Sequence, residues 1–298
     1  MNIPTFPDVL SLEPSYPALL LDAYGVFYGG QASGPYPGSA KKLETLMNSG
    51  KKIGILSNTT QLSHSVMEKL EKQGIRQGSH YHFYITSGTV CQKALMERSL
   101  PFPTPKLRYI LFGKPHPHVR YHEALFKSSP YTETTDPQNA DFIYISVPHI
   151  QGEDQENPEL FHNEVERACA LNLPFLCANP DLFAHEGNPP RPVARQGSIA
   201  KIAIELGAKV YFFGKPHREV YRAAMEAFNR IGVSDPRSIL MVGDTPWTDI
   251  RGGKEAMMAT ALVTGTGIFH ETVARLGLEA SIAQLGPYDR PHYLIKEL

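Results

Sequence analysis

Four places in the chain put polar side chains directly behind short apolar runs, and each suits chemistry at an anionic centre. Asp22 follows the run PALLL (17–21) in LLLDAYGVFYGG. A carboxylate there can attack a substrate or hold a metal, with Gly25 permitting a sharp turn behind it; an aspartate closing an ordinary strand-end turn has the same sequence. Ser57, Asn58 and Thr59 follow an apolar run in GILSNTT. Opening a helix, they would offer hydroxyls and backbone N–H groups to an anion, or would simply cap that helix. Lys215 follows VYFF (210–213) in FFGKPH, where an ammonium can neutralise phosphate charge or stay solvated. This is not a P-loop, because Pro216 stands where Ser or Thr is required and no upstream glycine fits the spacing. Asp244 follows SILMV (238–242) in MVGDTPWTDIRGG, and Asp249 lies five residues further on. Two carboxylates so spaced suit a hard cation that prefers oxygen ligands; helix capping by Asp249 competes. Trp247, inside the same stretch, either packs over the site or fills the loop.

Nucleophile, hydroxyl, lysine and acidic pair need a scaffold that brings several strand ends together. The sequence supplies one. PALLL, KIGIL, HFYIT (82–86), YILF (109–112), DFIYISV (141–147), PFLCA (174–178), VYFF, SILMV and TALVT (260–264) are short and rich in β-branched and aromatic residues, as buried strands are. Helical patterns such as SAKKLETLMNSG, SHSVMEKLEKQG, NEVERACALN, SIAKIAIELG and REVYRAAMEAFNRIG lie between them, several ending in the Gly that terminates helices. This alternation predicts mostly parallel sheets with helices on both faces. Ligands then bind beyond the carboxyl ends of the strands. Residues 97–160 are rich in proline and histidine, and an inserted domain is expected with borders near 86 and 193, the second resting on NPPRPVARQG as a hinge or linker.

Composition narrows the functional classes. The chain has 298 residues, 42% hydrophobic, enough for one large α/β unit or two modest domains. Lys plus Arg number 29 against 30 Asp plus Glu, a net charge of -1, and no dense basic run occurs, which argues against a nucleic-acid binder. Cys91, Cys169 and Cys177 are too few and scattered for a disulfide framework or zinc site. They suit a reduced compartment. The N-terminus lacks signal-peptide features, and no stretch approaches the roughly 20 apolar residues of a membrane span. The expectation is a cytoplasmic protein with neither a nucleic-acid nor a membrane partner. FGKPHPHVRYHEAL (112–125) and FGKPHREVYRAAM (213–225) are near copies, so Lys114 rivals Lys215 as a functional lysine. His116, His118 and His122 have metal-like spacing, but Pro117 interrupts them and they read as ordinary polar residues.

The four stretches LLLDAYGV, ILSNTT, FGKP and VGDTPWTDI, in that order, resemble the motifs of the haloacid dehalogenase-like (HAD) superfamily of aspartate-nucleophile hydrolases. CANPD (177–181), ARQGSIAKIAIELGAKVYFFGKP and VGDTPWTDIRGG are similar to its class IIA, NagD-like branch. The resemblance covers nearly the whole chain, with 97–160 its least characteristic part. It implies a three-layer, Rossmann-like α/β core with a parallel sheet (1–85 and 194–298) and an inserted α/β cap domain (86–193). It also selects Lys215 over Lys114, since Lys215 lies on the core side of the cap. On this resemblance Asp22 is the nucleophile that forms an aspartyl-phosphate. Ser57 and the backbone at Asn58, with Thr59 beside them, hold the transferring phosphoryl group, and Lys215 steadies Asp22 and the phosphate charge. Mg²⁺ is held by Asp22, the Tyr24 carbonyl and Asp244, with Asp249 in support. Asn179 and Asp181 face the substrate near the cap hinge, or merely form a turn. The implied partner is a small phosphorylated metabolite. Caps of this type often contribute to dimers, which leaves room for a homodimer through the cap.

One position departs from the family pattern. Phosphatases of the superfamily usually carry a second aspartate two residues after the nucleophile, as general acid and base. Here Tyr24 stands there, and a phenol titrating near ~10 is a poor substitute at neutral pH. Turnover is then slow, or the leaving group needs little protonation, or another residue supplies the proton. A catalytically weak or inactive homologue that binds a phosphorylated ligand is one alternative. DAYG also resembles the first motif of 2-haloacid dehalogenases, a second alternative, but these would have lost the metal-binding acids that Asp244 and Asp249 represent.

Overall fold

The computed structural model describes residues 3–12, 15–30, 33–113, 115, 120–186 and 191–298. Lys114, His116 and His118 lie outside the described residues. The chain divides into two compact units, one comprising 1–57, 64–85 and 215–298, the other 58–63 and 86–214.

The first unit is built on a seven-stranded sheet: β1 (Thr5–Asp8), β2 (Ala18–Leu21), β3 (Lys52–Ser57), β4 (Phe83–Thr86), β12 (Ile239–Gly243), β13 (Ala259–Val263) and β14 (Tyr293–Glu297), ordered β1-β14-β13-β12-β2-β3-β4. From β1 through to β3 the neighbours all pair parallel. Ala18–Leu21 and Ile239–Val242 are fully buried, which explains why the central strands read as continuous apolar runs rather than alternating ones. Alternate side chains still serve different faces. Ala261, Val263 and Ile295 join a cluster with Leu43 and Leu46 of α1 (Ser39–Asn48) and Val66 and Leu70 of α2 (Ser63–Lys72). Leu262 and Leu294 point the other way, onto Phe269 of α9 (Gly267–Leu276) and Ile282 of α10 (Leu278–Ala283). Two further helices complete the unit, α7 (Arg218–Arg230) and α8 (Arg251–Glu255). The result is the three-layer α/β arrangement expected from the alternation.

Two histidines fasten neighbouring strands in the same way. His82, just before β4, donates its backbone N–H to the Ile53 carbonyl (2.7 Å) and accepts the Ile53 N–H at Nδ1 (3.1 Å). His292, just before β14, repeats the clamp on Thr260 of β13, at 3.1 Å in both directions.

The second unit carries a parallel five-stranded sheet of β5 (Arg108–Phe112), β6 (Thr132–Glu133), β7 (Phe142–Ile145), β8 (Phe175–Cys177) and β11 (Val210–Phe212), ordered β11-β8-β7-β5-β6. Its helices are α3 (Ser87–Met96), α4 (Tyr121–Phe126), α5 (His162–Cys169) and α6 (Gln196–Glu205), and β9 (Phe183–Glu186) pairs antiparallel with β10 (Arg191–Ala194). His122 is buried in α4.

The expected border near 193 is not where the geometry divides. Arg191–Ala194 is a strand rather than a linker, α6 buries Ile199, Ala200, Ile202 and Ala203 beside Val165 and Phe175, and β11 pairs with β8. Residues 194–214 therefore belong to the second unit. A proline-rich stretch reads as a linker in sequence, yet Pro is tolerated in a two-stranded ribbon where its missing N–H need not be paired.

Candidate active site

Three neighbouring strands bring the polar residues of the first unit together. β12, β2 and β3 are adjacent, with Val242 opposite Leu21 and Leu21 opposite Ile55, so Asp22, Asp244 and Ser57 emerge from neighbouring strand ends. The Asp22 N–H donates to the Val242 carbonyl at 2.9 Å, extending the ladder one residue beyond β2. Gly25 (φ +76°) then turns the chain.

Asp22, Asp244 and Asp249 each bring a carboxylate oxygen to within 4.8 Å of the others, and all three are buried. Lys215, also buried, sets Nζ 2.6 Å from Asp22 Oδ1 and 2.8 Å from Asp249 Oδ1. Asp249 is fixed further by the Thr245 N–H on its Oδ2 (3.0 Å). Asp244 accepts from the Ile268 N–H (2.6 Å) and the Thr245 hydroxyl (3.1 Å). Glycines clear the space. A Cβ at Gly25 or Gly267 would overlap the Asp244 carboxylate, and one at Gly243 would overlap the Asp249 side chain.

Three carboxylates and one ammonium leave an excess of negative charge out of water, which is costly unless neutralised. The titration of the group reflects this. Burial raises the Asp22 carboxyl well above its ordinary range, with Lys215 opposing and Asp249 and Asp244 adding to the rise. Burial, then Asp249, lifts Asp244 to about 7, against the Ile268 N–H. A cluster of oxygen donors in a cradle that any Cβ would fill fits a hard divalent cation.

Ser57 is buried at the end of β3, and its hydroxyl neighbours the phenol of Tyr84 on β4. Burial, then the Tyr24 phenol, raises Tyr84 far above the usual tyrosine range, so it stays protonated and able to donate. Tyr24 itself is 38% exposed and packs edge-on against Tyr28, with ring centroids 5.3 Å apart. Trp247 is 42% exposed, so it does not fill a buried loop.

Asn58, Thr59, Asn179 and Asp181 belong to the second unit and are engaged with one another or with the backbone. The Asn58 carboxamide donates to Asp181 Oδ1 (2.8 Å), and the Asp181 N–H donates to Asn179 Oδ1 (3.1 Å), a local turn. The Thr59 N–H donates to Ser87 Oγ at 3.0 Å. The expectation that Ser57–Thr59 open a helix is corrected: α2 begins only at Ser63. Sequence reasoning also missed Tyr84, Tyr221, Gly243 and Gly267. The last had a readable signal, since TGTG directly follows β13.

A model of the haloacid dehalogenase-like hydrolases matches residues 19–123, and a second, HAD-hydrolase-like model matches 212–296. The chain belongs to the haloacid dehalogenase-like hydrolases. A dihydroxyacetone phosphatase of Corynebacterium glutamicum (strain R) is 36% identical over 90 residues, a stretch that spans 30% of either protein. Chronophin of Homo sapiens is 26% identical over 296 residues, covering 94% of this chain and 90% of that one. Among solved structures, a haloacid dehalogenase-like family hydrolase from Brucella suis 1330 superposes with a TM-score of 0.75 at 25% identity, over 89% of this chain and 94% of the other. No helix among the described residues is long and apolar enough to cross a membrane.

Proposed function

We propose that this protein, as a NagD-like member of the superfamily, hydrolyses a small phosphorylated metabolite with Asp22 as nucleophile. The observation that carries the reading is Lys215 Nζ within hydrogen-bonding reach of both Asp22 and Asp249, inside a buried cluster of three carboxylates. The resemblance to a dihydroxyacetone phosphatase supports the same class of reaction.

Attack by an Asp22 oxygen on phosphorus forms the acyl-phosphate bond and breaks the bond to the leaving oxygen. Water then cleaves the acyl-phosphate, releasing inorganic phosphate and restoring the carboxylate. Lys215 keeps Asp22 oriented and offsets charge on the transferring group, while Ser57 and the Asn58 backbone hold its oxygens; such positioning and neutralisation dominate phosphoryl transfer. Mg²⁺ would be held by Asp22, the Tyr24 carbonyl and Asp244, with Asp249 in support, and would supply charge neutralisation between two anions. The class IIA resemblance gives the second unit the role of cap domain, with Asn179 and Asp181 its candidate substrate-facing residues. Retention of Asp244 and Asp249 weighs against carbon–halogen cleavage.

Tyr24 supports a second reading, a phospho-ligand-binding homologue with little turnover, because no carboxylic acid stands at that position. A screen of metabolite phosphates with and without Mg²⁺, repeated on Asp22→Asn, separates the two. Mg²⁺-dependent phosphate release that vanishes in the variant is expected. Undiminished release from Asp22→Asn would sink the nucleophile assignment, and ligand binding with no release in either form would favour the second reading.

A further inference from the structure

The turn that carries Asp249 is not an α-helical one. Residues Pro246–Ile250 form a π turn between β12 and α8, in which the Arg251 N–H reaches back five residues to the Pro246 carbonyl. Such turns depart from the regular ladder of carbonyl pairing, and they are frequent at functional sites. Here an outside donor approaches two of the turn's carbonyls, that of Thr248 also accepting the Arg251 N–H. The Tyr221 hydroxyl, on α7, lies 3.2 Å from the Thr248 carbonyl and 3.4 Å from that of Asp249. Tyr221 is buried, and its ring packs where Gly252 has no side chain; a Cβ there would fall 2.5 Å from the phenol oxygen.

The arrangement links two ends of one charge network. Tyr221 sits on the helix that Lys215 leads into, while the turn it braces places Asp249 on that lysine at 2.8 Å. Asp249 is wholly buried, so its carboxylate has no solvent to relax into if the turn shifts.

We infer that Tyr221 is a positioning residue: its hydroxyl holds the π turn in the register that presents Asp249 to Lys215, and through that pair keeps Asp22 and Asp244 spaced for a divalent cation. This rests on the metal-dependent reading proposed above. Outer-shell partners of this kind typically contribute 10–100-fold to metal affinity.

Tyr221→Phe keeps the ring and removes only the donor, and Gly252→Ala displaces the ring while leaving the hydroxyl. Calorimetric titration with Mg²⁺ alone, without substrate, is expected to show about tenfold weaker binding in Tyr221→Phe, at a Tm within a few degrees of the wild type, with Gly252→Ala weakened in the same direction. Wild-type affinity in Tyr221→Phe would overturn the role. Should the wild-type protein bind no Mg²⁺, the metal reading fails instead. The crystal structure of Tyr221→Phe then decides: an opened Asp249–Lys215 pair upholds the positioning role, and an unchanged π turn with that pair intact overturns it.

Discussion

On the proposed phosphatase reading, Tyr24 is the residue that sets the rate. It occupies the position of the usual acid–base aspartate, and its ring is partly in solvent rather than locked in the core. Replacing it gives up one edge-to-face contact with Tyr28, on the order of 1 kcal/mol, which the fold should tolerate. Tyr24→Asp is therefore expected to raise kcat by roughly 10²-fold, the lower end of what a general acid–base contributes; steady-state kinetics on the best metabolite phosphate checks this. An unchanged kcat would mean that proton transfer is not limiting. Residue by residue, the sequence made Asp22, Lys215 and Asp244 legible because each stands just behind an apolar run, and Asp249 legible by its spacing from Asp244. It could not reveal Tyr84 or Tyr221, whose hydroxyls reach the site only through packing between elements distant in sequence.

Between elements, the histidine clamps on β3 and β13 tie pH to the integrity of the large sheet. Each accepts a backbone N–H at Nδ1, which requires a neutral ring. Burial lowers both pKa values, with Lys52 adding to the effect at His82 and Lys254 at His292. The unfolded chain, with histidines near ~6.5, binds more protons on acidification than the folded one. The clamps thus contribute fully above the unfolded pKa, and their contribution is lost as pH falls through the lowered folded values. Melting curves at about pH 7.5 and about pH 5 should show a smaller loss of Tm in a His82→Asn/His292→Asn protein than in the wild type. Equal losses would show that the clamps do not couple to titration. The strands themselves were legible as apolar runs. The β9–β10 ribbon was not, since Pro192 and the neighbouring prolines mimic a linker.

For the molecule as a whole, the cation binding proposed for the buried acidic cluster would couple folding to cation concentration. Ligand that binds only the folded state stabilises it by about 2.7 kcal/mol at a hundredfold excess over Kd. Thermal unfolding in Mg²⁺ should then run on the order of 5 °C above that in chelator, and Asp244→Asn should shrink the gap. Superimposable curves would remove the cation from the reading. At this scale the strand-and-helix organisation was visible in the alternation of runs. The membership of residues 194–214 was not, because it depends on β11 choosing β8 as its neighbour, a long-range pairing that no local pattern encodes.

Gly25, Gly243 and Gly267 make the acidic centre a shape defined by missing atoms. Neutralising Asp244 would leave that hollow nearly the same size, with a weaker field inside it. One methyl group on Gly25 would erase the hollow while leaving every charge in place. Two kinds of inheritance therefore meet in the site, one written in functional groups and one in negative space. The second is the stricter, because a carboxylate can be approximated by a neighbour in the chemical alphabet, whereas nothing in that alphabet is smaller than glycine.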